Sequence, residues 1–321
     1  MRIERRDKIL ALKEARRSKL PLEYNVNGDI VHLGKISFGC SACTARHSKS
    51  LYAIYTGCEC NVKCPYCYYD PDRTDDLWNT KRKMQESLET LYNFSQEPNR
   101  DLLTVSYNSW GETLMYMNQL QKASALVRKI EQATGNKIYN HTYTNGMFAT
   151  KEVLDKLKSW GFIELRFHLS ASNFSEKVLK SMEYWSSIGG ITTVEEPSLP
   201  EYRDKIISLF PRFADIGVKH LDIVEIQITK DNRKNLDKKY PDAVIYNDML
   251  WHMYDEGNVY DIIEAALKKF DGKIPFSIID CNSRIECARN STYTGNNRIL
   301  DDANWNRPNW EATFKAVRIE D

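Results

Sequence analysis

The 321-residue chain has no apolar run approaching the ~18 residues of a membrane-spanning helix, which argues against a helical membrane protein. It has no charge of one sign to spare. Its 45 Lys and Arg against 44 Asp and Glu leave a net charge of +1, so no basic excess points to nucleic acid. The N-terminus, MRIERRDKILALKEARRSKL, is charged throughout and lacks the apolar centre of a secretory signal. It reads as a solvated amphipathic helix, with a basic targeting helix as the alternative, and the chain reads as cytoplasmic. There is no internal repeat and no low-complexity linker.

Hydrophobic residues make up 42% of the chain, ample for a packed core, and the length suits one large α/β domain or two ordinary ones. The chain is also rich in cysteine. Of eight cysteines, six (Cys40, Cys43, Cys58, Cys60, Cys64 and Cys67) lie between positions 40 and 67, and Cys281 and Cys287 follow near the other end. In a reducing cytosol, clustered cysteines more often mean metal than disulfide. Cys60, Cys64 and Cys67 sit at spacings of four and three. Thiolates at such short intervals let one loop wrap an iron–sulfur cluster, and three ligands on four irons leave one iron for another molecule. Cys40 with Cys43, and Cys281 with Cys287, form two further pairs that suit a tetrahedral zinc or a second cluster, or else a clasp of unligated thiols. Cys58 reads as structural or incidental.

Strand and helix patterns alternate around that loop. Expected strands are 51–56, 102–107, 138–143, 162–169, 191–195 and 221–228. Expected helices are 81–94, 117–133, 150–160, 175–187 and 201–216. Six βα-like units at roughly 30-residue intervals argue a parallel sheet with helices outside. Six are too few for eight-stranded closure, so the expected fold is α/β, an open partial (β/α)6 barrel of the TIM type. It would occupy 51–229, between an N-terminal extension over 1–50 and a C-terminal extension over 230–321. The latter holds a helix over 248–270 broken near Gly257, an apolar strand over 274–279, and an irregular tail packing by Trp305 and Trp310.

The polar residues at the strand ends form a pattern. Gly111 and Glu112 follow the second strand, and Asn145 and Gly146 follow the third, where an ordinary turn is the plain alternative. Alternation puts Arg166, His168 and Ser170 on one face of the fourth strand, and Glu225 and Gln227 on one face of the sixth. Buried carboxylates are costly unless paired or functional, which singles out Glu225 and also Glu195 at the end of the fifth strand.

The three-cysteine loop, with Tyr66 just before its last cysteine, resembles the signature of radical S-adenosylmethionine (SAM) enzymes. Trp110-Gly111-Glu112-Thr113 resembles their Gly-Gly-Glu-Pro element, with Trp and Thr in place of Gly and Pro. The chain looks most like radical SAM proteins related to the pyruvate formate-lyase activating enzyme, in a branch with a GCxxC element before the first strand, matched here by Gly39 to Cys43. The resemblance implies a [4Fe–4S] cluster on Cys60, Cys64 and Cys67. It implies a SAM site drawn from Tyr66, Gly111, Glu112, Asn145, Arg166, His168 and Ser170, with Tyr68, Tyr69, Glu195 and Glu225 as candidates for the substrate wall. It implies reductive cleavage of SAM to a 5′-deoxyadenosyl radical, with an external flavodoxin or ferredoxin as reductant. The substrate is expected to be a peptide, delivered by a separate protein. The alternatives are a glycyl-radical enzyme and a small metabolite such as an amino acid or sugar; a non-catalytic metal module or redox carrier is the other class. The tail lacks the seven-cysteine pattern of a SPASM extension.

Overall fold

A computed structural model describes residues 2–24, 31–40, 51–67, 91–93, 104–227, 232–241, 244–245, 251–253, 257–281 and 317–318. The fold is α/β, with a mostly parallel sheet that stays open, as expected of a partial barrel. The chain divides into two compact units. The first comprises Met1–Ser37, Cys64–Tyr69 and Thr193–Asn306, and the second Phe38–Lys63, Asp70–Thr192 and Arg307–Asp321.

In the second unit, β3 (Leu51–Tyr55), β4 (Thr104–Asn108), β5 (Tyr139–Thr144) and β6 (Phe162–Phe167) pair in parallel, in sequence order. Thr104 to Tyr107 are all buried, as in a parallel strand covered on both faces. Helices α2 (Met117–Thr134), α3 (Lys151–Ser159) and α4 (Glu176–Ser187) lie within two residues of their expected ends. Gly135 and Gly161 mark the ends of α2 and α3 in the sequence. Gly135 closes α2 in the left-handed conformation, and the Thr150 hydroxyl accepts the Val153 N–H at the start of α3. The helices bury Leu120, Val127, Leu154, Leu157, Val178 and Trp185. A two-residue strand, β13 (Val317–Arg318), pairs in parallel with β3.

In the first unit, β7 (Ile191–Pro197, whose first two residues belong to the second unit) pairs in parallel with β8 (His220–Val224), and β8 with β12 (Ser277–Asp280). β12 carries an antiparallel pair, β2 (Val31–Leu33) and β1 (Glu23–Tyr24). The strand expected over 274–279 therefore joins the parallel set. It starts late because Pro275 has no N–H to give a ladder. Helices α5 (Pro200–Ser208) and α6 (Phe210–Ile216) replace the single helix expected over 201–216. Pro211 cannot donate within a continuous helix, so it stands in the first turn of a new one.

Two further expectations change. The strand expected over 221–228 stops at Val224. The chain then turns at Glu225, and β9 (Ile226–Gln227) pairs antiparallel with β11 (Trp251–Met253), itself paired with β10 (Val244–Ile245). The stretch 230–247, expected as a connection, contains α7 (Arg233–Lys239). The helix expected from 248 begins only at Asn258 as α8 (Asn258–Lys269), because Gly257, at φ +140°, breaks the helical path. The N-terminal helix α1 (Arg2–Arg17) is not wholly solvated. Arg17 is buried and donates to the Tyr260 hydroxyl at 3.0 and 3.2 Å, and that hydroxyl donates to Asp280 at 2.8 Å. The expected helix 81–94 lies outside the described residues except for 91–93, and so does the tail with Trp305 and Trp310.

Candidate functional site

The chain leaving β3 stays bonded to the chain leaving β4 beyond both strand ends. The Thr56 N–H donates to Asn108 O at 2.8 Å, Trp110 N–H to Gly57 O at 2.8 Å, and Glu112 N–H to Glu59 O at 2.8 Å. This ribbon is so close that a Cβ on Gly111 would lie 1.9 Å from Glu59 O, and one on Gly57 would lie 2.1 Å from the Tyr116 ring. Glycine is needed at both positions for close approach. Tyr116 finishes the brace. Its hydroxyl accepts the N–H groups of Cys58 at 3.0 Å and Glu59 at 2.6 Å, and burial pushes its pKa up to about 12. Sequence reasoning missed Tyr116, because a tyrosine 56 positions beyond Cys60 carries no local signal.

Glu112 is buried, and its carboxylate is shared among three neutral donors. Oε1 accepts Leu114 N–H at 2.9 Å and the Thr144 hydroxyl at 2.6 Å, and Oε2 accepts Asn145 N–H at 2.7 Å. Burial pushes its pKa up against the pull of those hydrogen bonds. A carboxylate has about four acceptor positions, so one more donor can be taken. The element after β4 therefore grips the element after β5. Asn145 in turn reaches the cysteine loop: its Nδ2 donates to Asn61 Oδ1 at 2.8 Å, while its Oδ1 accepts Met147 N–H at 3.0 Å. Asn145 and Gly146 do form a turn, but one whose side chain is spent on the loop.

Cys60 is half-buried, which pushes its thiol pKa up; a backbone N–H of Val62 pulls the other way, and Glu112 adds to the upward push. Cys60 belongs to the second unit, Cys64 and Cys67 to the first. Cys67 N–H donates to Cys64 O at 3.0 Å, closing a turn over Pro65 and Tyr66. The Tyr66 side chain packs against Leu199, Ile226 and Leu236 beside Tyr202 and Tyr240, and its carbonyl accepts Asn232 Nδ2 at 3.0 Å.

The β6 face is organised differently from expectation. Glu164 and Arg166 are paired at 3.1 Å, both nearly inaccessible to solvent. Glu164 also accepts the Tyr139 hydroxyl at 3.0 Å, and Arg166 Nη2 lies 3.1 Å from Cys40 Sγ. The guanidinium also lies over the Tyr143 ring, which stacks on His168 with centroids 6.2 Å apart. Ser170 does not continue the face, because β6 ends at Phe167 and Ser170 opens a 3-10 turn, Ser170–Ser172. Glu164, Tyr139 and the buried His141 complete this cluster; alternation from Arg166 back to Glu164 would have found the first of them.

In the first unit Glu195 is half-buried opposite Asp222 in the β7–β8 register, and Glu225 is buried at the break after β8. The Gln227 side chain, Tyr68, Tyr69, Cys43 and Cys287 lie outside what is described. Cys281 is half-buried at the end of β12, with its N–H on Ile223 O at 3.0 Å. Among the described residues no three His, Cys, Asp or Glu side chains converge to grip a single metal ion. A cubane cluster asks for less, since each thiolate binds a different iron.

Residues 54–191 match the Radical SAM superfamily. Over those residues the chain is similar to radical SAM domains. No curated protein matches the chain in sequence. Solved structures share the fold. SuiB of Streptococcus suis bound to S-adenosylmethionine has a TM-score of 0.52 at 14% identity, over 71% of this chain and 49% of that one. SuiB bound to the precursor peptide SuiA has 0.53 at 14%, over 84% and 56%. AnSMEcpe with bound AdoMet has 0.50 at 16%, over 70% and 64%. The match thus spans about half the length of SuiB. The cofactors of a radical SAM domain are a [4Fe–4S] cluster and SAM, and the donor set fits them. Cys60, Cys64 and Cys67 are half-buried thiols, none in a disulfide, on one irregular loop whose start is held by hydrogen bonds at Cys58 and Glu59. No helix among the described residues is long and apolar enough to cross a membrane.

Proposed function

We propose that this chain is a radical SAM enzyme acting on a peptide. When bound, the cluster and SAM supply a 5′-deoxyadenosyl radical that removes a hydrogen atom from the substrate. The chain's own residues hold and orient. Cys60, Cys64 and Cys67 are the thiolate ligands, and the Tyr116, Gly111 and Asn145 contacts fix the first half of their loop. One observation carries the reading: Glu112, buried beside that loop, is bonded among the described residues only to neutral donors. A buried anion with no cation is costly, and an ammonium group such as that of SAM would both take the remaining acceptor position and balance the charge. In the second unit Asn145, Arg166, His168 and Ser170 are the further candidates for SAM; in the first unit Tyr66 is another, and Glu195 and Glu225 are the candidates for substrate.

The peptide assignment is supported by SuiB, which shares the fold and is seen bound to a precursor peptide. Cys40, with Cys43, is proposed as part of a second metal centre, on the support of the Arg166 guanidinium 3.1 Å from its sulfur, a contact that favours thiolate.

The test is anaerobic reconstitution with iron, sulfide, SAM and dithionite, with 5′-deoxyadenosine measured by mass spectrometry. Product from the native chain and none from Cys60→Ala or Cys64→Ala is expected, and a native chain that neither binds nor cleaves SAM would sink the enzyme reading. A perdeuterated peptide pool should place deuterium in the product; deuterium arriving only from pools of free amino acids or sugars would replace the peptide by a metabolite.

A further inference from the structure

The surface next to the cysteine loop combines exposed apolar side chains with exposed lysines that no carboxylate among the described residues neutralises. Met147 and Phe148, in the turn after β5, are 40% and 38% exposed. Met147 is in contact with the loop itself, since Asn61 Nδ2 lies 3.3 Å from its sulfur. Beside this turn, between the first turns of α3 and α4, is a groove of about 420 Å³ whose lining includes Thr150, Lys151, Lys177, Lys180 and Tyr184. Lys151, Lys177 and Lys180 are exposed, against one lining carboxylate, Glu176. Among the described residues none of the three lysines is ion-paired: Lys177 donates to the Met147 carbonyl at 3.2 Å, and Lys151 sits over the Tyr184 ring.

Helix stability does not account for these charges. Lys151 is the first residue of α3 and Lys177 the second of α4, where the helix dipole disfavours a cation. An apolar centre with a charged rim is the anatomy of a protein interface, and charge of one sign steers a partner of the other.

We infer that Met147, Phe148 and the lysines at the ends of α3 and α4 form the docking surface for an acidic one-electron carrier protein. The inference rests on the radical SAM reading, because reductive cleavage of SAM consumes one electron, which the carrier supplies. In a flavin carrier the anionic hydroquinone becomes the neutral semiquinone, and the single electron lost there is the one taken up on the loop side. The Met147–Asn61 contact places the carrier against the residue after Cys60, and electron transfer favours such a short route. The rim lysines act before that step, by raising the rate of encounter and fixing orientation.

The test has a binding arm and an activity arm, both on the reconstituted enzyme. Fluorescently labelled oxidised flavodoxin, and separately an acidic ferredoxin, are titrated with enzyme at low and high salt and followed by anisotropy. For the carrier that binds, the triple variant Lys151→Glu, Lys177→Glu, Lys180→Glu should weaken binding at low salt at least tenfold and remove most of its salt dependence. Phe148→Ser should weaken it severalfold with the salt dependence kept. The gentler Lys177→Gln, Lys180→Gln pair should fall in between, which guards against misfolding of the triple variant. In the activity arm the same lysine variants should cleave SAM at the native rate with dithionite, which needs no docking, and slowly with the reduced carrier. Unchanged affinity in the triple variant, or no binding of either carrier by an enzyme that works with dithionite, overturns the surface. Failure of the native enzyme with dithionite counts against the radical SAM reading instead, and the binding arm still decides the surface.

Discussion

Glu112 and Glu164 are both carboxylates with almost no solvent contact, one at the end of β4 and one on β6, and the second unit holds them in opposite ways. Glu112 is surrounded by N–H and O–H donors that carry no charge. Glu164 is matched with a guanidinium and a phenol. The first arrangement positions the chain, because two of its three donors are backbone N–H groups at Leu114 and Asn145. The second balances charge within the fold, so Arg166 already has partners in Glu164 and Cys40. A charge left to be balanced by a ligand is therefore better sought at Glu112 than at Arg166, although both are equally prominent in the sequence.

The largest expected effect separates the two sites. Glu164→Gln leaves the Arg166 charge buried without its carboxylate and should cost about 3–5 kcal/mol in urea denaturation. Replacing both partners, as Glu164→Leu with Arg166→Met, should recover most of that loss, since two uncharged side chains need no pairing. A double variant as unstable as the single one would show that Arg166 is held by something other than Glu164. Next in size is Glu112→Gln, which keeps the shape but turns one acceptor into a donor facing donors. It should cost about 1–3 kcal/mol and weaken SAM binding at least tenfold in equilibrium dialysis. If SAM binds as before, Glu112 is a brace alone.

Much of the fold was legible because its signals are local. Gly135 and Gly161 punctuate α2 and α3, and buried runs such as Thr104 to Tyr107 read as strands at once. The misreadings came where one residue overrides a good pattern. Pro211 splits a periodic helix, Pro275 delays a strand, and Glu225 ends β8 although apolar and polar residues go on alternating to position 228. The site was half legible. The cysteine spacing and Glu112 stand out as residue types, whereas Tyr116 and Thr144 act through contacts 57 and 32 residues apart that no spacing rule encodes. Cys43 and Cys287 lie outside the described residues, so the paired-cysteine expectation is carried by Cys40 and Cys281 alone.

The buried charge on β6 also has a consequence in acid. His141 is buried among Tyr139, Tyr143, Glu164 and Arg166, close to Gly39, and desolvation, with the Arg166 charge, lowers its pKa to about 3 against the usual 6.5. Between those values the unfolded chain binds a proton that the folded chain does not. Stability is thus fully present above pH 6.5 and is lost as pH falls toward 3, by at most about 1.4 kcal/mol per pH unit from this one group. His141→Gln should flatten the slope of unfolding free energy between pH 6 and 4, measured by urea denaturation. An unaltered slope would assign the acid sensitivity to the carboxylates.

The smallest effect on stability bears most directly on the loop. Tyr116→Phe removes one oxygen and touches no side chain of the cysteine loop, only the N–H groups of Cys58 and Glu59. Cys58 is half-buried and Glu59 is exposed, so water can replace the lost acceptor, and the cost should be about 1 kcal/mol or less. The shape of the loop depends on that oxygen more than the stability of the domain does. The reconstituted variant should therefore lose iron to a chelator severalfold faster than the native chain while its urea midpoint hardly moves. Equal rates of iron loss would mean that the Gly57–Trp110 and Glu59–Glu112 backbone bonds hold the loop unaided, and that positioning at this end of β3 is a property of the ribbon and not of its brace.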